Sequence, residues 1–141
     1  AAMAFSSVFV VTNSLRLRGK KIDRTASHFR RIKQIAAEYG SATAVLCIPE
    51  GPYVNRPALI NMGRVGYTTP DWLLTTDAMD ESPRRAATQA DIPFYEFTHA
   101  FRERLDDPSL YFELDGHPTP AGNQLLAESL LSVQELLFNR P

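Results

Sequence analysis

Cysteine is nearly absent from this chain, which contains one, Cys47, in 141 residues. A lone cysteine cannot form an intramolecular disulfide, and its place in the apolar run 44–48 predicts a buried, small hydrophobic side chain. Long apolar segments are also missing, because no stretch approaches the roughly 18 to 20 residues that a membrane-spanning helix needs. We therefore expect no membrane span. The compartment stays open between a periplasmic or secreted location and a cytoplasmic one.

The chain also lacks an excess of positive or negative charge. Lys and Arg number 15 against 16 Asp and Glu, which gives a formal net charge of −1. The basic residues that cluster between Arg16 and Lys33 lack the aromatic interleaving typical of nucleic-acid surfaces, so we expect a solvated face there and no nucleic-acid partner. With 44% hydrophobic residues, the chain is predicted to form one globular domain over residues 1–141.

Apolar runs of strand-forming residues occur at 7–11 and 42–48, and a third strand is predicted at 92–97. Such runs are typical of parallel strands that are buried on both faces. Apolar residues at helical spacing separate the first two runs, and shorter helices are predicted at 83–90 and 99–105. Strands that alternate with helices predict an α/β fold with a mainly parallel sheet.

The helix between the first two runs is predicted to end at Gly40, with Asp23 or Thr25 as the cap at its start. Its buried face is expected to consist of Phe29, Ile32, Ile35, Ala36 and Tyr39. The proline-rich stretch 49–83 is interpreted as a long excursion of loops and short turns. Within it, Tyr53 and Trp72 could line a substrate cleft, since exposed aromatic rings stack on sugars.

The final helix is predicted to begin with Thr119 as its cap and Pro120 at its first position. Its apolar stripe is expected to consist of Leu125, Leu126, Leu130, Val133, Leu136 and Leu137.

The residues most suggestive of chemistry stand just before that helix, where Asp115 precedes His117 by two positions. In an extended segment this spacing puts both side chains on the same side of the backbone, where the acid can orient the imidazole. A histidine held by a carboxylate is a general base, and its usual partner is a serine hydroxyl. Two other interpretations stay open, a turn that feeds a capped helix and a metal site completed by His99. The spacing matches no specific metal pattern, so no metal is expected.

This block resembles the terminal block of SGNH (GDSL-type) hydrolases in four residues: Asp115, His117, Pro118 and Gly122. The Asp-x-His spacing is similar to that of the O-acetyltransferase branch of the superfamily. The runs 45–49 and 92–97 are similar to the last two strands of the family. The resemblance implies a three-layer, flavodoxin-like α/β/α fold of which this chain is the C-terminal part, with the first strands absent.

The Gly-Asp-Ser tripeptide that carries the serine in this family does not occur in the chain. In one interpretation, residues 12–15 are a degenerate nucleophile block and Ser14 is the nucleophile. In the other, which strand counting favours, Asn13 matches an asparagine that helps to hold the oxyanion, and the serine lies outside the chain. In both, the resemblance implies that His117 is the base and that Asp115 orients it.

The resemblance thus implies an esterase or O-acyltransferase without a cofactor, acting on an acylated small molecule or carbohydrate, with acetyl groups as the expected case. Without a serine an Asp-His pair has nothing to activate, so we expect the isolated chain to be inactive or very weak. Whether it is an enzyme depends on the source of that serine. The alternative is a non-catalytic binding or assembly module, in which an unpaired sheet edge favours a homo-oligomer or a missing N-terminal segment.

Overall fold

The structure, a computed structural model, describes residues 9–10 and 19–133. It combines helices with a small parallel sheet, so the predicted α/β character is confirmed at this level. The helices in chain order are α1 (Gly19–Glu38), α2 (Gly51–Val54), α3 (Arg56–Arg64), α4 (Ala78–Gln89), α5 (Thr98–Arg102) and α6 (Pro120–Ser132), with a 3-10 helix at Asp71–Leu74. None of the described helices combines the length and the apolar character that crossing a membrane requires.

The described residues form two compact units, and each unit is built from two stretches of the chain. The first unit holds the described residues up to Cys47 together with Ala78–Glu96. The second holds Ile48–Asp77 together with the described residues from Phe97 onward. The sheet belongs to the first unit, and the Asp115–His117 block belongs to the second.

The sheet of the first unit has three parallel strands in the order β1 (Phe9–Val10), β2 (Val45–Cys47) and β3 (Phe94–Glu96). All three predicted strands are present, but each is only two or three residues long. The apolar runs extend further than the strands because burial also requires apolar residues beyond the paired positions. Ile92 and Phe97, for example, flank β3 and are buried.

Helices α1 and α4 pack against each other in the first unit. Together with β2 and the residues before β3 they enclose a core formed by Ile22, Ala26, Phe29, Val45, Ala86, Ala87, Ala90 and Ile92. Several of these residues are alanines, which lets the two helices approach closely and leaves little room for larger side chains.

The end of α1 is as predicted and its start is not. Gly40 has a φ of +66°, and its N–H and that of Ser41 donate to carbonyls of the last turn at 3.0 and 2.9 Å, which is a Schellman motif. At the other end, α1 already includes Gly19, so Asp23 and Thr25 lie inside the helix and the predicted caps are wrong. The Thr25 hydroxyl donates to a carbonyl one turn earlier.

The predicted buried face of α1 is correct only in its first half. Phe29 is buried, but Ile35 is 41% exposed and Tyr39 is 80% exposed. Ile35 stands six residues after Phe29, which at 100° per residue places it on a different side of the helix. The buried stripe runs instead through Ile22 and Ala26 to Phe29, at the i, i+4, i+7 spacing.

The stretch 49–83, which was predicted to consist of loops and short turns, is largely helical, and that prediction is wrong. Asn55 caps α3, because its side-chain oxygen accepts the N–H of Ala58 at 3.0 Å. Pro57 lies in the first turn of α3, where a missing N–H costs nothing. The prolines therefore begin helices here instead of interrupting them.

Helix α4 also begins earlier than predicted, at Ala78, and Pro83 lies inside it. A proline in a helix interior removes one backbone hydrogen bond and is normally unfavourable. Here Pro83 is buried, as are Ala86 and Ala87 on the following turn, so the packing of this helix offsets the local cost.

Arg102 on α5 connects separate segments of the second unit. Its guanidinium donates to the backbone carbonyls of Tyr53 and Thr76 at 3.3 and 2.6 Å and to the Asp77 carboxylate at 2.8 Å. The side chain is only 20% exposed, so these bonds form largely away from water. The ends of the stretch that links α2 to α4 are held on α5 in this way.

The start of α6 is confirmed. Thr119 is the cap, with its hydroxyl oxygen accepting the N–H of Gly122 at 3.3 Å, and Pro120 is the first helical residue. Leu125 of the predicted stripe is buried, whereas Leu136 and Leu137 lie outside the described residues.

Candidate functional site

The Asp115–His117 block lies on a closed loop of the second unit. Tyr111 and Pro118 form an antiparallel bridge, and the N–H of Phe112 donates to the carbonyl of His117 at 2.9 Å. The loop between them turns through Gly116, whose φ is +69°. A residue with a Cβ is strained in this conformation, so the glycine is required by the turn.

Asp115 contacts His117 in two ways. The Asp115 carboxylate oxygen Oδ1 accepts the backbone N–H of His117 at 2.8 Å, and the same oxygen lies 3.4 Å from Nδ1 of the ring. The predicted meeting of acid and imidazole is therefore present, but the predicted extended segment is wrong. A turn in which the aspartate caps the N–H two residues later brings the two groups together. Both side chains are well exposed, 79% for His117 and 59% for Asp115.

A second carboxyl group, Glu50, lies within electrostatic range of His117. Glu50 is the N-cap residue of α2, but its side chain makes no capping hydrogen bond. Partial desolvation raises the pKa of the Glu50 carboxyl, and the charge of His117 opposes that rise. Glu50 was not among the predicted site residues.

Tyr111 holds the Glu50 segment against the loop. Its hydroxyl donates to the carbonyl of Pro49 at 2.9 Å, in a buried position. Burial raises the pKa of the Tyr111 hydroxyl, and the negative charge of Glu50 adds to that rise. The tyrosine is therefore a hydrogen-bond donor that stays protonated, and its role is to position Glu50 and the loop.

The predicted nucleophile is not among the described residues. Ser14 and Asn13, the predicted nucleophile and oxyanion residue, lie outside them. Within the described residues, no serine or threonine hydroxyl is hydrogen-bonded to the His117 imidazole. Ser129 and Ser132 donate to backbone carbonyls of α6.

Comparison with known protein families, curated proteins and solved structures found no match to this chain. Its function is therefore argued from its own residues.

A metal centre finds no support in the described part of the chain. No group of three His, Cys, Asp or Glu side chains there is placed to hold a metal ion. His99, the third residue considered for such a site, is 85% exposed and lies 3.3 Å from Glu103 one turn along α5.

A groove opens on the second unit between α3 and the segment 108–113. It has a volume of about 380 Å³ and is lined by Pro57, Ala58, Ile60, Asn61, Arg64, Pro108, Tyr111 and Glu113. Tyr53 and Trp72, the aromatic residues predicted to line a cleft, are not among these residues. Trp72 is nevertheless 60% exposed, so it is not a packing anchor.

Cys47 is buried as predicted, with no exposed surface. Burial raises the pKa of its thiol, and the neighbouring Asp80 carboxylate raises it further. Since the thiolate is the reactive form, Cys47 is not a nucleophile in the folded chain.

We expect the native protein to leave an aromatic disulfide reagent unreacted at mildly alkaline pH, and the urea-denatured protein to react with one equivalent. Rapid native labelling, followed by absorbance, would show that the thiol is accessible.

Proposed function

We propose that this chain carries the acid–base half of an SGNH-type acyl-transfer site. The activity would be that of an esterase or O-acyltransferase, with acetyl groups on a carbohydrate as the expected substrate. The observation that supports the proposal is the contact of one Asp115 oxygen with both the N–H and the ring of His117, on a closed loop directly before a capped final helix. The parallel order β1-β2-β3 is compatible with the three-layer, flavodoxin-like fold that the proposal requires.

In the proposed mechanism, the Asp115 carboxylate accepts a hydrogen bond from Nδ1–H of His117, which holds the ring in the tautomer whose Nε2 is the base. Nε2 removes the proton of a serine hydroxyl as its oxygen attacks the ester carbonyl carbon. The same proton then passes to the leaving alcohol oxygen when the C–O bond breaks. Water, or an acceptor hydroxyl, releases the acyl group from the serine by the same steps in reverse. Asn13 would donate to the oxyanion.

The serine in this proposal is Ser14 or one that lies outside this chain, in a missing N-terminal segment or in a second copy of the chain. The second candidate function, a non-catalytic binding or assembly module, is favoured by the exposure of His117 and by the lack of a described hydroxyl on its ring. A base that is open to water lacks the enclosed surroundings that strengthen electrostatic catalysis.

Hydrolysis of a chromogenic acetyl ester tests the proposal. We expect weak turnover at most, and any turnover should fall by about 10²-fold or more in His117→Asn, because general-base catalysis contributes about 10² to 10⁴. His99→Asn, a change of an exposed histidine on α5, is the control and should have no effect. Turnover that Ser14→Ala also abolishes would identify the nucleophile and contradict the expected inactivity of the isolated chain.

A ring-nitrogen NMR spectrum tests the Asp115–His117 pair even if turnover is absent. At alkaline pH the proposal expects the neutral His117 ring to carry its proton on Nδ1, and Asp115→Asn to shift the proton towards Nε2. A ring protonated on Nε2 in the unmodified protein would contradict the assigned roles and favour the module.

A further inference from the structure

The groove between α3 and the segment 108–113 combines apolar walls with hydrogen-bond donors at one edge. Pro57, Ile60 and Pro108 supply apolar surface, and Tyr111 forms part of the floor. Ile60 is 51% exposed, so a large apolar side chain faces water beside the groove. A volume of about 380 Å³ lies at the small end of the range for small-molecule sites, roughly 300–1,000 Å³.

Arg64 reaches from α3 to the segment 108–113. Its Nη1 donates to Oδ1 of Asn61 at 3.0 Å and to Oε1 of Glu113 at 3.3 Å. Among the described residues, nothing accepts from Nε or Nη2 of Arg64 or from Nδ2 of Asn61. One edge of the groove therefore presents a cation and several N–H groups with unused donor capacity.

The ion pair between Arg64 and Glu113 is easily displaced. Both side chains are mostly exposed, 63% and 70%, and a single long contact joins them. Such surface pairs contribute little. A ligand carboxylate that accepts two parallel N–H groups from the guanidinium would be bound more strongly than Glu113 is now.

We propose that this groove binds a small monocarboxylate with an unbranched apolar chain, its carboxylate on Arg64 and Asn61 and its chain against Pro57, Ile60 and Pro108. The Arg64 guanidinium favours an acid over a neutral apolar molecule, because its unused N–H groups can form charge-assisted hydrogen bonds with a carboxylate. Glu113 acts as an internal competitor, since it occupies the guanidinium in the empty groove. The inference goes beyond the proposed acyl transfer and does not require it.

Titration with butanoate, hexanoate and octanoate, followed by amide NMR chemical shifts, tests the site. Affinity should rise about two- to four-fold for each methylene that becomes buried. Hexan-1-ol should bind about ten-fold more weakly than hexanoate, because it cannot form charge-assisted hydrogen bonds. The shifts should be centred on α3 and on residues 108–113. Equal binding of the alcohol and the acid, or shifts centred elsewhere, would overturn the proposal.

Two substitutions at the edge should act in opposite directions. Arg64→Met should weaken hexanoate binding about ten-fold, whereas Glu113→Gln should strengthen it about two- to five-fold by removing the competitor. Arg24→Met, on the exposed side of α1, is the matched control and should change nothing. A weakening by Glu113→Gln would mean that the ion pair only shapes the groove, which contradicts the proposal, and this test stands even if Arg64→Met fails to fold.

The same titration in His117→Asn separates this site from the acyl-transfer proposal. Hexanoate binding should be unchanged in that variant, whether or not the protein hydrolyses esters. Loss of binding in His117→Asn would assign the carboxylate to the Asp115–His117 loop and overturn the groove assignment.

Discussion

Alanine in place of Gly122 is expected to destabilise the second unit by about 2 to 3 kcal/mol, as overpacking of a rigid site does. The added Cβ would stand 2.2 Å from the backbone carbonyl oxygen of Leu110 and 3.0 Å from Cβ of Pro118. The Leu110 carbonyl cannot simply rotate away, because it also accepts the N–H of Thr119 at 3.0 Å. Urea denaturation followed by circular dichroism at the helical band measures the loss.

Gly63→Ala is the matched control for this change. Gly63 lies in α3, and the nearest atom to its added Cβ is the Thr69 hydroxyl oxygen at 3.0 Å, which a side-chain rotation can move. Alanine has the higher helix propensity, by up to about 1 kcal/mol, so this variant should be neutral or slightly stabilised. If Gly122→Ala behaves like Gly63→Ala, then α6 does not approach Leu110 as closely as described.

Asn55→Ala is expected to cost about 2 to 4 kcal/mol of unfolding free energy. Asn55 is only 1% exposed, and it joins two segments that are about fifty residues apart. Its Oδ1 accepts the N–H of Ala58 at 3.0 Å, and its Nδ2 donates to the carbonyl of Asp107 at 2.8 Å. Loss of a helix cap costs about 1 kcal/mol, and a buried carbonyl without its partner costs about 1 to 3 kcal/mol more. The same denaturation measurement applies.

Two variants separate these contributions. Asn55→Ser keeps a neutral cap acceptor and removes the donor to Asp107, so its stability should lie between that of the unmodified protein and that of Asn55→Ala. Asn123→Ala changes an exposed asparagine of α6 and should stay within about 0.5 kcal/mol. An Asn55→Ser protein as stable as the original would show that the bond to Asp107 contributes nothing.

Local signals in the sequence predicted the features that depend on neighbouring residues. Gly40 ends α1 because a left-handed residue is needed there, and Thr119 with Pro120 begins α6 because a cap and a first-turn proline favour that start. The same signal was present at Asn55 and Pro57, where it indicated the start of α3. Proline is common both in loops and in the first turn of a helix, so the many prolines of 49–83 favour loops by composition even where they begin helices.

In the candidate site, too, local contacts could be predicted from the sequence and long-range contacts could not. Asp115 and His117 are two residues apart, so their contact follows from a local turn and the spacing could indicate it. Glu50 joins them through the bond from Tyr111 to Pro49, which spans 62 positions. The groove likewise needs α3 and the segment 108–113 to meet. Contacts of this range depend on packing, which no local spacing encodes.

Each of the two units is translated in two separate stretches, so each must wait on the ribosome for its second stretch. The apolar stripe of α1 is covered by α4 and by Ile92. The first stretch of the second unit, Ile48–Asp77, lies between α1 and α4 in the sequence and is translated first. A ribosome adds roughly 5 to 20 residues per second, so the completed α1 waits about 3 to 10 s for that cover. The second unit also waits, because Ile48–Asp77 is translated before the stretch that begins at Phe97. The first unit is complete in sequence once Glu96 has been added, at a point where the second still lacks its stretch from Phe97 onward. Until α4 and Ile92 have been translated, the nascent chain presents the stripe of α1 to solvent.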